Sequence, residues 1–185
     1  MVSTFKFTHF PELKTERLTL RNATINDSND LFELYSSKAV VEYMPFTPFT
    51  SVEQAVNEMN WYQQIFDEQT GLRWMIQDRE SKKVIGTCGY LNYERTNNRL
   101  EIGYDLSPEY WGRGLMPEAV KSIIQFGFST MNLNKIEAKI EPANTASLRL
   151  MEKLGFQKEG LLRQHEFEKG RYIDLAVFSL LRSEY

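Results

Sequence analysis

Polar and apolar residues alternate through Arg17-Leu18-Thr19-Leu20-Arg21, and a period of two belongs to a strand with one buried face. The period then lengthens. Asn26 or Asp27 can cap a helix that carries Leu31, Leu34 and Tyr35 on one side. Two prolines and two phenylalanines make Met44-Pro45-Phe46-Thr47-Pro48-Phe49 a loop. Ser51, with Gln54 three residues on, is a capping-box pattern, and Val52, Ala55, Val56, Met59, Tyr62 and Phe66 follow at nearly helical spacing. Three strands are predicted next, at 72–77, 84–93 and 99–106, separated by the polar turns Glu80-Ser81-Lys82-Lys83 and Arg95-Thr96-Asn97-Asn98. In the third strand Leu100, Ile102, Tyr104 and Leu106 share one face, and Glu101, Gly103 and Asp105 share the other. Beyond Gly114 a helical stripe returns with Val120, Ile123, Ile124, Gly127, Phe128 and Met131. Residues 135–140 read as a strand and 144–154 as a helix stopped by Gly155. Residues 160–167 and 172–181 read as a hairpin around Glu168-Lys169-Gly170-Arg171.

The order β-α-α-β-β-β-α-β-α-β-β predicts one mixed α+β domain over residues 1–185. Its sheet would be mostly antiparallel, of about seven strands, with helices on both faces. A hydrophobic fraction of 42 % is enough to fill such a core. The formal charge of -3 argues against a duplex-DNA surface, so no nucleic-acid partner is expected. The apolar run Leu175-Ala176-Val177-Phe178 falls far short of the ~20 residues a bilayer requires. The start of the chain shows no basic segment leading into an apolar one. A cytoplasmic protein with no membrane partner is therefore expected, as a monomer or homodimer. The single Cys88 can form neither an internal disulfide nor a cysteine zinc site, and His9 and His165 have no spaced carboxylate partners, so no metal is expected.

One loop stands apart. Gly112 and Gly114 lie one residue apart between a strand and a helix, in Tyr110-Trp111-Gly112-Arg113-Gly114-Leu115-Met116. Backbone N–H groups can converge there, and a helix N-terminus adds free donors and about half a positive charge, the means by which phosphates are held. The glycines serve equally well as the plain geometry of a strand–helix connection. The loop is neither the dinucleotide fingerprint nor a Walker loop.

The stretch from Glu101-Ile102-Gly103-Tyr104 through Tyr110-Trp111-Gly112-Arg113-Gly114 to Met116-Pro117-Glu118-Ala119 resembles the central motif of the GNAT acetyltransferases. Asn144-Thr145-Ala146-Ser147, followed by Glu152-Lys153-Leu154-Gly155-Phe156, resembles their next motif. Thr15-Glu16-Arg17-Leu18-Thr19-Leu20-Arg21 and Gly160-Leu161-Leu162-Arg163 resemble the ribosomal-protein N-terminal, RimJ/RimL-type branch. The resemblance implies a splayed cofactor gap in the sheet and metal-free acetyl transfer from acetyl-CoA to an amine. It puts the CoA pyrophosphate on Gly112, Arg113, Gly114, Leu115 and Met116, and the pantetheine arm beside Tyr104, Asp105 and Leu106. Asn144 would touch the arm, and Ser147 would serve both cofactor binding and thiolate departure. Trp111 and Met116 stand where the family loop usually has Gln or Arg and Gly or Ala, and Met151 stands where many relatives have a proton-donating tyrosine.

Glu101 is placed by the resemblance as a general base. Read from the residues alone, a mid-strand carboxylate can equally be structural, hydrogen-bonded to backbone or paired with an arginine. Ser147 can likewise be only a helix cap. Cys88 reads as a small buried residue and His165 as structural or as part of an acceptor cleft. Tyr43, Phe46 and Phe49 read as cleft wall, and Trp61, Tyr62 and Trp74 as core. The branch implies a protein N-terminal α-amino group as acceptor. A polyamine or other small amine is the alternative enzyme substrate, and a non-catalytic acyl-CoA-binding regulator is the alternative outside enzymes.

Overall fold

Each strand foreshadowed by alternation is present in the computed structural model, which describes residues 5–185. Residues 1–4, on which the leader expectation partly rests, lie outside the described residues. The strands are β1 (Leu13–Lys14), β2 (Leu18–Arg21), β3 (Leu72–Asp78), β4 (Val84–Glu94), β5 (Arg99–Leu106), β6 (Lys135–Ile140), β7 (Gln157–Glu168) and β8 (Arg171–Leu181). The helices are α1 (Ser28–Ser36), α2 (Val52–Asp67), α3 (Leu115–Ser129) and α4 (Thr145–Lys153). The two-residue β1 is the strand the alternation did not announce, being too short to show a period. It makes the sheet eight-stranded, in the order β1-β2-β3-β4-β5-β6-β8-β7.

Helices cover both faces. Leu72, Trp74 and Ile76 of β3 point to the face on which α3 packs Ala119, Val120, Ile123 and Ile124. Met75, between them in sequence, points to the other face, where Leu31, Leu34 and Tyr35 of α1 meet Ala55, Met59 and Tyr62 of α2. A strand covered on both sides must be apolar on both, which is why β3 and β4 read as nearly continuous hydrophobic runs. The β7–β8 hairpin turns through Lys169 and Gly170, both at positive φ (47° and 81°), the two-residue geometry that matches strand twist.

The decisive irregularity lies between β5 and β6. They run parallel and pair at Arg99↔Lys135, Leu100↔Ile136 and Glu101↔Glu137, and pairing stops there. β6 continues on β8 as far as Ile140↔Ala176, and β5 continues on β4 as far as Leu106↔Gly86. Residues 102–106 and 138–140 therefore border an open wedge in the middle of the sheet.

Candidate active site

The loop that follows β5 delivers a row of backbone donors beside the wedge. Gly112 and Gly114 are both left-handed, with φ of 72° and 75°, a conformation that disfavours any residue with a Cβ. Gly114 is the N-cap of α3. The N–H groups of Gly112, Arg113, Gly114, Leu115 and Met116 make no hydrogen bond within the protein among the described residues. The first helical bond there is Glu118 N–H to the Gly114 carbonyl at 3.3 Å, and Pro117 has no N–H. A Cβ built on Gly112 would meet nothing within 4 Å, so a ligand can approach the backbone. The Met116 side chain is buried among the core residues, leaving only its backbone to the loop.

The Thr15–Arg17 segment holds this loop. Glu118, in the first turn of α3, accepts hydrogen bonds from Thr15 Oγ1 (2.5 Å), the Arg17 N–H (2.9 Å) and Arg17 Nε (2.7 Å). Arg17 Nη1 donates to the Arg113 carbonyl at 2.9 Å. Burial pushes the Glu118 carboxyl up, but the bonds from Thr15 and Arg17 outweigh it and hold the group below the usual carboxylate range. Trp111 supplies no phosphate donor. Its Nε1–H donates to the Leu106 carbonyl at 2.7 Å, bracing the loop on the end of β5.

At the wedge, Tyr104 Oη and Ser147 Oγ lie 2.5 Å apart. Burial pushes the Tyr104 phenol up to about 12 against the opposing Ser147 bond, so it stays protonated near neutral pH. Asn144 is the cap of α4, its Oδ1 accepting from the Ser147 N–H at 3.1 Å. The capping role open to Ser147 thus belongs to Asn144, and the Ser147 hydroxyl is left for Tyr104. Met151 is fully buried in the core. The Asp105 side chain points away from the wedge into a buried network with Arg73 (2.6 Å) and Thr87 (2.7 Å), so only its backbone is left for a cofactor.

The wedge opens into a cleft of about 410 Å3 bordered by Ile102, Gly103 and Tyr104 of β5, Lys139 of β6, and Asn144 and Ser147. Its outer wall is Tyr43, Met44, Pro45 and Phe46 of the proline-containing loop. Phe49 is not part of that wall. It is buried against Tyr35 and Phe46. Trp61, read as core, is 39 % exposed and lines the cleft. The carboxylate of Glu101 is bound through Oε2 by Lys139 Nζ at 3.1 Å and by Asn92 Nδ2 at 3.3 Å, so its partners are a lysine and an amide rather than an arginine or the backbone. Glu101 is not itself among the residues bordering the cleft, whereas its partner Lys139 is. Neither histidine borders it, and burial pushes the Cys88 thiol well up, which removes it as a nucleophile.

Four charged cleft residues were not anticipated: Glu58 of α2, Arg73 of β3, Lys139 of β6 and Glu141 just after it. Glu58 had a signal. It is the one charged residue on the stripe Ala55, Met59, Tyr62 and Ile65 that α2 buries. Arg73 had less, since a single basic residue in an apolar run is indistinguishable from one that reaches a strand edge.

The acetyltransferase (GNAT) domain model matches residues 17–157. The chain belongs to the GNAT acetyltransferase family. N-acetyltransferase p20 of Bacillus licheniformis is 47 % identical over 173 residues, covering 94 % of this chain and 97 % of that protein. The crystal structure of a GNAT-family acetyltransferase from Bacillus anthracis superposes with a TM-score of 0.84 at 26 % identity, covering 94 % of this chain and 100 % of the other. The spermidine N-acetyltransferase of Vibrio cholerae, solved with CoA and spermine, shares the fold with a TM-score of 0.79 at 24 % identity, over 92 % of this chain and 99 % of that one. This GNAT protein is an acetyl-CoA-dependent N-acetyltransferase, which sets aside the non-catalytic regulator. Among the described residues no cluster of His, Cys, Asp and Glu could hold a metal, and no helix is long and apolar enough to cross a membrane.

Proposed function

We propose that this enzyme acetylates the N-terminal α-amino group of a protein in the cytoplasm, as the RimJ/RimL-type enzymes it resembles do, and that residues 1–185 act as one catalytic domain. The observation that carries the acceptor class is the mixed charge of the cleft. Glu58 and Glu141 line it, but so do Arg73 and Lys139, and Glu141 is tied to Arg171 at 2.6 Å. A polyamine brings only positive charge and suits a cleft with an excess of carboxylates. Arg73 and Lys139 are themselves paired with Asp105 and Glu101, so Glu58 is the one cleft carboxylate without an ionic partner among the described residues, too few for a multiply charged polyamine.

The free N–H groups of residues 112–116 and the positive end of α3 would hold the CoA pyrophosphate, with Arg113 beside them. The wedge beside Tyr104, Asp105 and Leu106 would take the pantetheine arm as an added strand, with Asn144 near it. Acetyl-CoA supplies an activated thioester. The Tyr104–Ser147 hydroxyl pair donates a hydrogen bond to the thiolate as the C–S bond breaks. Removing a proton from the acceptor is a small task. An α-amino group of pKa about 7.7–8.0 is roughly one-tenth neutral at pH 7, whereas a lysine amine requires a further ~3 kcal/mol. Glu101, where β5 and β6 part, is the candidate base, acting through water because it does not itself border the cleft and Lys139 and Asn92 both hold its Oε2.

Thiol release measured with N-terminal peptides, polyamines and lysine peptides blocked at their N-terminus tests the acceptor. N-terminal peptides are expected to show the highest kcat/KM, and a preference for polyamines or blocked lysine peptides would overturn the assignment. Glu101→Gln is expected to lower kcat/KM most below pH 7, where deprotonation limits. A profile parallel to wild type across pH 6–9 removes Glu101 as base.

A further inference from the structure

Glu58 and Arg73 face one cavity and do not pair with each other. No basic side chain is ion-paired with Glu58 among the described residues, because the Arg73 guanidinium is committed to Asp105 at 2.6 Å. Arg73 is 6 % exposed. Its Nε donates to Thr87 Oγ1 at 2.8 Å and its Nη2 to Asp105 Oδ2, with Thr87 and the Tyr35 hydroxyl also bonded to that carboxylate. Its Nη1 makes no bond within the protein. Among the described residues no fully buried side-chain nitrogen or oxygen lacks a partner, so Nη1 opens into the cleft that Arg73 lines. Gly103 makes the room, since a Cβ there would stand 2.9 Å from Nη1. On the other side, Glu58 comes from α2 with Trp61 beside it in the cleft wall. Burial pushes the Glu58 carboxyl up, opposed by the Arg73 charge and the Tyr62 hydroxyl and reinforced by the Asp105 charge, as befits a water-poor corner.

The cleft therefore presents one carboxylate without an ionic partner and one unbonded, immobilised donor. A simple alkylamine can satisfy only the carboxylate, and a polyamine would bring a second cation to Arg73. A group that carries an amine and a carbonyl on the same carbon satisfies both. We infer that Glu58 and Arg73 together recognise the α-aminoacyl unit of the acceptor, the Glu58 carboxylate accepting from the amine and Arg73 Nη1 donating to the carbonyl oxygen next to it. This inference rests on the N-terminal acceptor reading and deepens it. It makes both residues determinants of specificity rather than of the bond-making step. Buried donors left without an acceptor are what make such a site reject an analogue lacking the carbonyl.

Alanine amide, alanine and isopropylamine test it, with kcat/KM expressed per neutral amine so that basicity does not enter. Wild type is expected to prefer alanine amide to isopropylamine by about tenfold or more, the factor that one hydrogen bond of ~1.4 kcal/mol provides. Free alanine separates a carbonyl reader from a carboxylate reader, and a preference for alanine over its amide would overturn the peptide-type acceptor. Glu58→Gln is expected to raise KM for alanine amide with a smaller effect on kcat. Arg73→Lys, if folded, should bring the amide and isopropylamine within about threefold of each other. Equal kcat/KM for the two probes in wild type overturns the inference without recourse to any variant. Calorimetry on the CoA-bound enzyme keeps the two readings apart. Preferential binding of alanine amide with no acetylated N-terminal peptide would sink the acceptor reading alone. Acetylated peptides with no preference for the carbonyl would sink the Glu58–Arg73 pair alone.

Discussion

Tyr104 and Ser147, whose hydroxyls lie 2.5 Å apart, are proposed to act as a unit. Since burial pushes the phenol up to about 12, Tyr104 keeps its proton throughout pH 6–9, and the pair remains a donor across that range. A CoA thiolate, with a thiol pKa of roughly 8–9, is stabilised by such a donor without needing full protonation. Ser147→Ala is expected to lower kcat by about 10²-fold, Tyr104→Phe by a similar factor, and the double variant little further, because coupled residues do not add. Unchanged kcat in both single variants would reduce the pair to packing. Gly103→Ala is a separate residue-scale probe. The added methyl would meet Arg73 Nη1 at 2.9 Å and force the guanidinium to shift, so any preference for α-aminoacyl acceptors should fall while acetyl-CoA affinity is kept. Competition assays with both substrates read the two effects separately.

At the scale of elements, the segment Thr15-Glu16-Arg17 has a task its sequence does not announce. It fastens the start of β2 to the first turn of α3 through Glu118, and so fixes the loop that carries the free N–H groups. Because the bonds from Thr15 and Arg17 lower the folded-state pKa of Glu118, its contribution is fully present above the unfolded value of about 4.3. It is lost as pH falls through the lower folded value. Asp27, held down by Arg21 and Thr24 against its own burial, adds in the same direction. Denaturant titrations of Glu118→Gln should show a loss of about 1–3 kcal/mol at pH 7 and a flatter acid limb than wild type. An acid limb of unchanged slope would dismiss the linkage. The loop itself is tested by Gly114→Asp, which sets a side chain at a φ of 75° and a negative charge beside the proposed pyrophosphate site. Calorimetry should show acetyl-CoA binding abolished in a folded protein, and unchanged affinity would refute the site.

At the scale of the whole molecule, the split between β5 and β6 leaves strand edges in the middle of the sheet unpaired, and a bound cofactor would cover them. Saturation at 100 times Kd should add about 2.7 kcal/mol of stability. For a chain of this length that is a rise in Tm of roughly 5–10 °C, absent in Gly114→Asp. The cleft is also closed from afar. Lys169, at the tip of the β7–β8 hairpin, donates to the carbonyls of Val41 (2.6 Å) and Glu42 (3.0 Å), just before the loop that forms the outer wall. Tyr43 crosses to the Ala143 carbonyl at 3.3 Å, beside the cap of α4. Lys169→Ala should loosen that wall and raise KM for the acceptor with little change for acetyl-CoA. Equal KM values in variant and wild type would detach the hairpin from the cleft.

Hydrophobic periodicity alone determined the strands 99–106 and 135–140 to the residue, because a period of two assigns each side chain to a face without knowledge of partners. It determined the α3 stripe for the same reason, and the two glycines marked a left-handed turn that only glycine enters readily. Periodicity names faces, however, and not neighbours. The sheet splits after Glu101↔Glu137, a matter of register between distant segments that no local pattern records. Asn144 rather than Ser147 is the cap because its Oδ1 reaches the Ser147 N–H, and Ser147 meets Tyr104 only because the fold brings α4 to the wedge. Glu101 is tied to Lys139 because β5 and β6 are neighbours. Glu58 and Arg73 stand 15 positions apart in sequence, on a helix and a strand, and share a cleft only after α2 packs on the sheet. Charges brought together by packing carry no trace in sequence spacing, since their interaction depends on distance and burial in the folded chain.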